Sequence, residues 1–203
     1  MLGPIGPNVK LWFVGVPPDK LPSMQREGWT RVSVRRTHLE LRRPDELRPG
    51  RPPSEPVELR LRRPISAGDY LELYSLVGEL WLWRDRLVWT QDELERYLTS
   101  PDVHVWSAHV GGTTAGYFEL RQHTDRTVEV MYFGLAPAYI GRGIGGWLLT
   151  RAAHEAFALG AKRIVLNTCT LDAPQALPNY LARGFTIVSE DQYLLDVPVT
   201  TVG

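Results

Sequence analysis

The chain has 203 residues, of which 43% are hydrophobic, and its 23 Lys and Arg balance 23 Asp and Glu. That length buries a sizeable core, and the balanced charge gives no global field drawing the protein to nucleic acid or to a membrane surface. The apolar run Leu11–Val16 stops at Pro17-Pro18, too short for a signal peptide or a membrane span, and the lone Cys169 excludes an internal disulfide; both fit a cytoplasmic protein.

Residues 1–55 are punctuated by Gly and Pro throughout, and the stretch 49–56 has the composition of a linker. Within them Trp29 to Leu41 alternates (Val32, Val34, then Leu39, Leu41), which suits one or two strands. The expectation is an accessory hairpin over 1–55 packed on a main domain over 56–203. That domain opens with a period-two strand, Val57 to Arg63, followed by helical spacing from Ile65 to Leu80. Thr90 caps a second helix over Gln91 to Thr99, with Glu93 at the capping-box position. Three strands come next: Val103 to Val110, Gly116 to Gln122 after the Gly111-Gly112 turn, and Thr127 to Leu135 after a turn at 123–126. A glycine-dense turn and an amphipathic helix follow Pro137. Ile164 to Thr170 then reads as a strand, Ala176 onward as a short helix capped by Gly184, Phe185 as the start of a strand, and Gln192 to Val197 as a last one.

The turn between Pro137 and the helix is the most informative stretch. A helix start offers free backbone N–H groups and the positive end of the dipole, and Gly141, Gly143 and Gly145 lack side chains that would keep an anion away. A P-loop needs Lys followed by Ser or Thr after its glycines, and none is there. The spacing of Gly141, Gly143 and Gly146 matches a dinucleotide fingerprint formally, but the elements before it read as an antiparallel meander, not as the opening of a parallel sheet.

The segment more closely resembles the acetyl-CoA motif of the GNAT N-acetyltransferases, an apolar-x-apolar-x-Pro strand end followed by [Gln/Arg]-x-x-Gly-x-[Gly/Ala] opening a helix. Phe133, Leu135 and Pro137 supply the first part, and Gly141, Arg142, Gly143, Ile144 and Gly145 the second, with Ile140 where the family has Gln or Arg. A second match lies downstream: Ala176, Tyr180, Gly184 and Phe185 fit the family's Asn-x-x-Ala-x-x-x-Tyr-x-x-x-Gly-Phe helix, with Ala173 in place of the Asn. The resemblance covers roughly residues 57–198. It implies an α/β (α+β) fold of GNAT type, a mixed, mostly antiparallel sheet splayed at the cofactor site and flanked by helices. It also implies acetyl-CoA as cosubstrate, contacted by Phe133, Leu135, Gly141 to Gly146 and Tyr180.

Acetylating an amine requires a base, since alkylamines are protonated near neutral pH. Glu129 lies where the histone-acetylating members of the resembled family keep their catalytic glutamate, and Glu119 on the preceding strand is the other candidate. A four-residue turn at 123–126 would set Glu119 opposite Val130 and turn the two carboxylates to opposite faces; a three-residue turn would put them on one face. By resemblance, a backbone N–H near Phe133 to Leu135 serves the oxyanion and the Tyr180 hydroxyl protonates the departing thiolate. Trp81, Trp83 and Trp89 lie between the first two helices, where the resembled enzymes build the acceptor pocket, and either wall it or pack the helices on the sheet; Arg84, Asp85 and Arg86 add charge to that loop, with Asp85 the candidate partner for a cationic substrate. The five histidines (His38, His104, His109, His123, His154) show no metal-ligand spacing, and Cys169 reads as packing. The expected activity is direct transfer from acetyl-CoA to a primary amine of a small molecule. The alternatives are a protein N-terminus or lysine as acceptor, or an acyl-CoA-binding module without turnover. The tryptophan-rich surface and the N-terminal hairpin would support a homodimer.

Overall fold

A computed structural model describes residues 28–199. Seven strands form one sheet: β1 (Trp29–Leu41), β2 (Glu58–Leu61), β3 (Val103–Val110), β4 (Thr113–Gln122), β5 (Thr127–Leu135), β6 (Arg163–Cys169) and β7 (Thr186–Pro198). Their spatial order is β2-β3-β4-β5-β6-β1-β7, antiparallel except between β5 and β6. Four helices cover it: α1 (Ala67–Gly78), α2 (Gln91–Leu98), α3 (Ile144–Ala158) and α4 (Ala176–Ala182). The mixed, mostly antiparallel α/β architecture matches the expected fold class. Among the described residues no helix is long and apolar enough to cross a membrane.

Strand parity sorts the core into two layers. On β4, Phe118 and Leu120 point to the α3 side, where they meet Leu148, Leu149 and Ala152. Tyr117 points the other way, into a layer made by Tyr70, Leu73, Tyr74 and Val77 of α1 with Leu94 and Leu98 of α2. Both helices on that side start on side-chain caps. Ser66 accepts from the Asp69 N–H, and Thr90 with Glu93 forms the capping box read from the sequence. Two glycines allow α1 and its following loop to lie close. A Cβ on Gly134 would sit 2.5 Å from Val77 Cγ1, and one on Gly78 2.5 Å from Trp83 Cε3.

Two expectations about strands need correction, and one alternative left open by the sequence is decided. The described part of the N-terminal segment is not a hairpin packed on the sheet. Trp29–Leu41 is one 13-residue strand inserted between β6 and β7. Its inward side chains Val34, Leu39 and Leu41 are at most 1% exposed, so 29–41 shares the core of the 56–203 domain, and the boundary at 55 divides no packing unit. Residues 1–27 lie outside the described residues. The two strands expected after Phe185 are one, β7, kept continuous by a bulge where it passes His38 and Leu39 of β1. The hairpin between β4 and β5 pairs Gln122 with Val128 rather than with Thr127, so Glu119 and Glu129 share a face.

Because β1 contributes to the core, Leu41→Ala is expected to cost about 3 kcal/mol in urea unfolding, as for other fully buried leucines. A loss below about 1 kcal/mol would show β1 to be an appendage.

Candidate active site

The site begins where two strands part. β5 runs to Leu135, yet its parallel ladder with β6 holds only three pairs and stops at Glu129 and Val165. Beyond that point β6 stays registered with β1 as far as Cys169, while β5 stays with β4. Between the pairs Leu120–Val130 and Glu119–Tyr132 the extra residue Met131 bulges on β5, which increases local twist and helps turn the strand away. The backbone from Val130 to Leu135 therefore has no ladder partner on its β6 side, and it includes the Phe133–Leu135 stretch expected to serve an oxyanion.

The glycine turn stands at the open end of that fork. After one turn of 3-10 helix at Pro137–Tyr139, Gly141 (φ +84°) and Gly143 (φ +78°) take left-handed conformations, and Gly143 is the residue before α3. A Cβ built on either glycine meets nothing within 4 Å, so their backbone faces open space. Left-handed glycines and the first N–H groups of a 15-residue helix make a cradle that fits a pyrophosphate. A Cβ added at Gly145 would make only ordinary contacts, with Leu135 and Asn179. Gly146 is used differently: a Cβ there would strike Arg183 Nη1 at 2.3 Å, and the backbone of Gly50 crosses its other side. Arg142 points to Glu55, 2.5 Å away, and lies over the Tyr139 ring. The Glu55 partner was not visible in the sequence, because it arrives on the segment joining β1 to β2.

Tyr180, on α4, is 7% exposed, its ring edge-on to Phe133 (6.0 Å) and Phe185 (6.3 Å). Burial, with Asp172 nearby, pushes its hydroxyl well above the ordinary phenol range, so it is held protonated. The structure thus brings Tyr180 and Phe133 together at the fork. Cys169, at the end of β6, has its thiol pushed up by burial and by Asp172, which favours the inert thiol.

On the opposite face, the side of α1 and α2, the carboxylates separate. Glu129 is the last β5 residue paired with β6, half-buried, 3.1 Å from His123 Nε2. Glu119 is fully buried and occupied. Tyr70 donates to Oε2 at 2.5 Å, Tyr97 donates to Oε1, and Arg86 Nη2 lies 3.4 Å from Oε1. Asp85 accepts from Tyr74 (2.5 Å) and from Tyr132. Burial, together with these carboxylates, raises the Tyr70, Tyr97 and Tyr117 hydroxyls well above the ordinary value, so the phenols remain donors. For Arg86, burial works to lower the pKa and is overridden by Glu119 and the tyrosines, so the guanidinium stays charged.

Of the three residues expected to contact an acceptor, Trp83 packs on Tyr74 (5.6 Å), Tyr117 (6.3 Å) and Tyr132 (5.1 Å), and Asp85 sits beside it. Trp81 lies in the 3-10 turn Glu79–Trp81 and shares none of these ring contacts. Arg86 escaped sequence reasoning, because a charged residue in a loop reads as surface. Among the described residues no cluster of three or more His, Cys, Asp or Glu is arranged to hold a metal ion.

Residues 70–185 match the sequence profile of the acetyltransferase (GNAT) family. Over 105 residues the chain is 33% identical to a mycothiol acetyltransferase of Corynebacterium aurimucosum, a match covering 48% of this chain and 34% of that protein. Over 136 residues it is 32% identical to the N-alpha-acetyltransferase RimI of Mycobacterium tuberculosis, covering 65% of this chain and 80% of that one. The chain thus spans about a third of the length of the mycothiol acetyltransferases it matches. Among solved structures, a GCN5-related N-acetyltransferase from Kribbella flavida superposes with a TM-score of 0.58 at 20% identity, over 85% of this chain and 61% of that one.

The buried pair generates a stability prediction. Glu119→Ala leaves Arg86 charged and unpaired at 3% exposure, so urea unfolding is expected to lose about 3–5 kcal/mol. A change near zero would mean that water reaches the pair.

Proposed function

The chain belongs to the GNAT acetyltransferase family, and on that premise we propose that it transfers an acetyl group from acetyl-CoA directly to a primary amine of a small molecule. The observation that carries this reading is the fork between β5 and β6 with an open, left-handed glycine turn at its mouth. The turn takes the pyrophosphate, the fork takes the pantetheine arm, and the thioester then lies against the unpaired backbone of β5.

The amine nitrogen attacks the thioester carbonyl carbon. An N–C bond forms, the C–S bond breaks, and the nitrogen gives up a proton. Glu129 takes that proton: it faces the acceptor side at the root of the fork, next to His123. The backbone N–H groups freed by the splay stabilise the oxyanion. Tyr180, kept protonated by its surroundings, returns a proton to the CoA thiolate. Glu119 has its oxygens filled by Tyr70, Tyr97 and Arg86, which supports a holding role for it. Trp83 and the loop over residues 79–90 fold down on β4 and β5, which favours a compact acceptor. A second reading, with a peptide N-terminus as acceptor, is favoured by the similarity to RimI, which extends over most of that enzyme.

Calorimetric titration with acetyl-CoA tests the cosubstrate. Micromolar binding is expected, and Gly143→Glu should abolish it with the circular dichroism spectrum retained, since the new carboxylate fills the anion cradle. Absence of binding to the unaltered protein would end this reading. Tyr180→Phe is expected to lower kcat about a hundredfold or more with acetyl-CoA affinity unchanged. Equal rates would remove Tyr180 as proton donor, and no turnover by either protein would favour a binding module.

A further inference from the structure

The loop between α1 and α2 is turned inside out. Arg86 is 3% exposed, while Leu80, Leu87 and Val88 of the same loop are 59%, 51% and 65% exposed. Burying a guanidinium and leaving three apolar side chains in water is unfavourable unless the pocket is built for a cation. It is: the Arg86 Cζ lies 4.2 Å from the Trp89 ring centroid, 4.6 Å from Tyr97 and 5.0 Å from Tyr132, above the Glu119 carboxylate. Three aromatic faces over an anion form a cage for a positive charge.

Arg86 does not fill that cage well. Its contact with Glu119 is 3.4 Å, long for a charge-assisted bond and not bidentate, and its Nε has no hydrogen-bond partner. The Tyr117 hydroxyl in the same layer is likewise buried and unpartnered. The neighbourhood also carries negative charge. Asp85 and Glu119 face Arg86, Arg121 lies against the Tyr97 ring at 5.6 Å, and among the described residues no cation is salt-bridged to Asp85. Leu82 adds backbone strain, holding a left-handed conformation (φ +58°) within the loop that carries the arginine inward.

We propose that the cage of Trp89, Tyr97, Tyr132 and Glu119 is a binding site for a second cationic centre of the acceptor, a guanidinium or an ammonium remote from the reacting amine, and that Arg86 is its internal occupant. An acceptor carrying two positive groups displaces Arg86, and the loop then turns its arginine to water. The inference depends on the acetyl-transfer reading only for the use made of the bound molecule. Arg86 thereby sets specificity. A monocationic amine gains nothing by displacing it, whereas a dication replaces one caged charge with another and engages the fork with its free amine.

The probe is agmatine, a guanidinium joined by four carbons to a primary amine, with n-hexylamine as the control lacking the second charge. In the unaltered protein, agmatine is expected to move the Arg86 Nε–H resonance, identified by its loss in Arg86→Ala, and n-hexylamine to leave it in place. Calorimetry should find Arg86→Ala binding agmatine about tenfold more tightly, because the internal competitor has gone. An Arg86 resonance unmoved at saturating solubility of agmatine overturns the proposal, as does a folded Arg86→Ala that binds no better than the parent. Should that variant not fold, Arg86→Lys, which keeps the charge but lacks the guanidinium Nε–H, identifies the resonance, and its response in the unaltered protein decides. Neither readout involves acetyl-CoA, so failure here is distinct from failure to bind the cosubstrate.

Discussion

The rest of the site depends on the place where β5 and β6 stop being neighbours. Each strand has two edges. β6 commits one of its edges to β1 from Ile164 to Cys169, and β5 follows β4 through the Met131 bulge. Twist accumulates along both pairs, and after Glu129 the strands cannot stay registered with each other. The consequence is a half-buried seam with unpaired backbone, normally costly where water is kept out. A structure that retains such a seam needs something else to satisfy those groups, and the glycine turn ending at Gly143 opens beside it.

Opposed charges organise the other side of the sheet. Glu119 gathers Tyr70 from α1, Tyr97 from α2 and Arg86 from the loop between them, so one carboxylate fixes three elements on β4. Buried pairs of this kind add little net stability compared with apolar packing, but losing one partner is expensive. Their value lies in specifying geometry: Asp85, one residue from Arg86, is set against Tyr132 at the fork. Helix placement and site placement are here one arrangement.

What the sequence revealed follows the range over which each signal acts. The glycine turn, the Thr90 capping box and the helix Ala176–Ala182 depend on residues a few positions apart, and all lie where local chemistry puts them. The alternation in 29–41 identified a strand but not its place, because insertion between β6 and β7 is a matter of long-range pairing. The faces of Glu119 and Glu129 hung on one residue of register in the turn after Gln122, and parity magnifies such a slip into a reversal. Arg86 was illegible for a different reason. Only the folded loop shows that Leu87 and Val88 point outward while the charge between the tryptophans points inward.

The segment joining β1 to β2 shows why the fork can open at one end without the sheet dividing. It leaves β1 in the half of the sheet that follows β6 and ends at β2 on the far edge. On the way, the Arg48 N–H donates to the Arg183 carbonyl at 3.0 Å, and the Gly50 N–H donates to Thr150 Oγ1 on α3 at 2.8 Å. Gly184 is required where the chain passes, since a Cβ there would lie 2.1 Å from the Glu46 carbonyl oxygen. The strap ends in the ion pair of Glu55 with Arg142, inside the glycine turn itself. The two wings are thus tied across α3 and α4, on the face away from Tyr70, Tyr74 and Tyr117. The same inserted strand that holds β6 away from β5 supplies, through its connection, the tie that keeps the parted halves in one molecule.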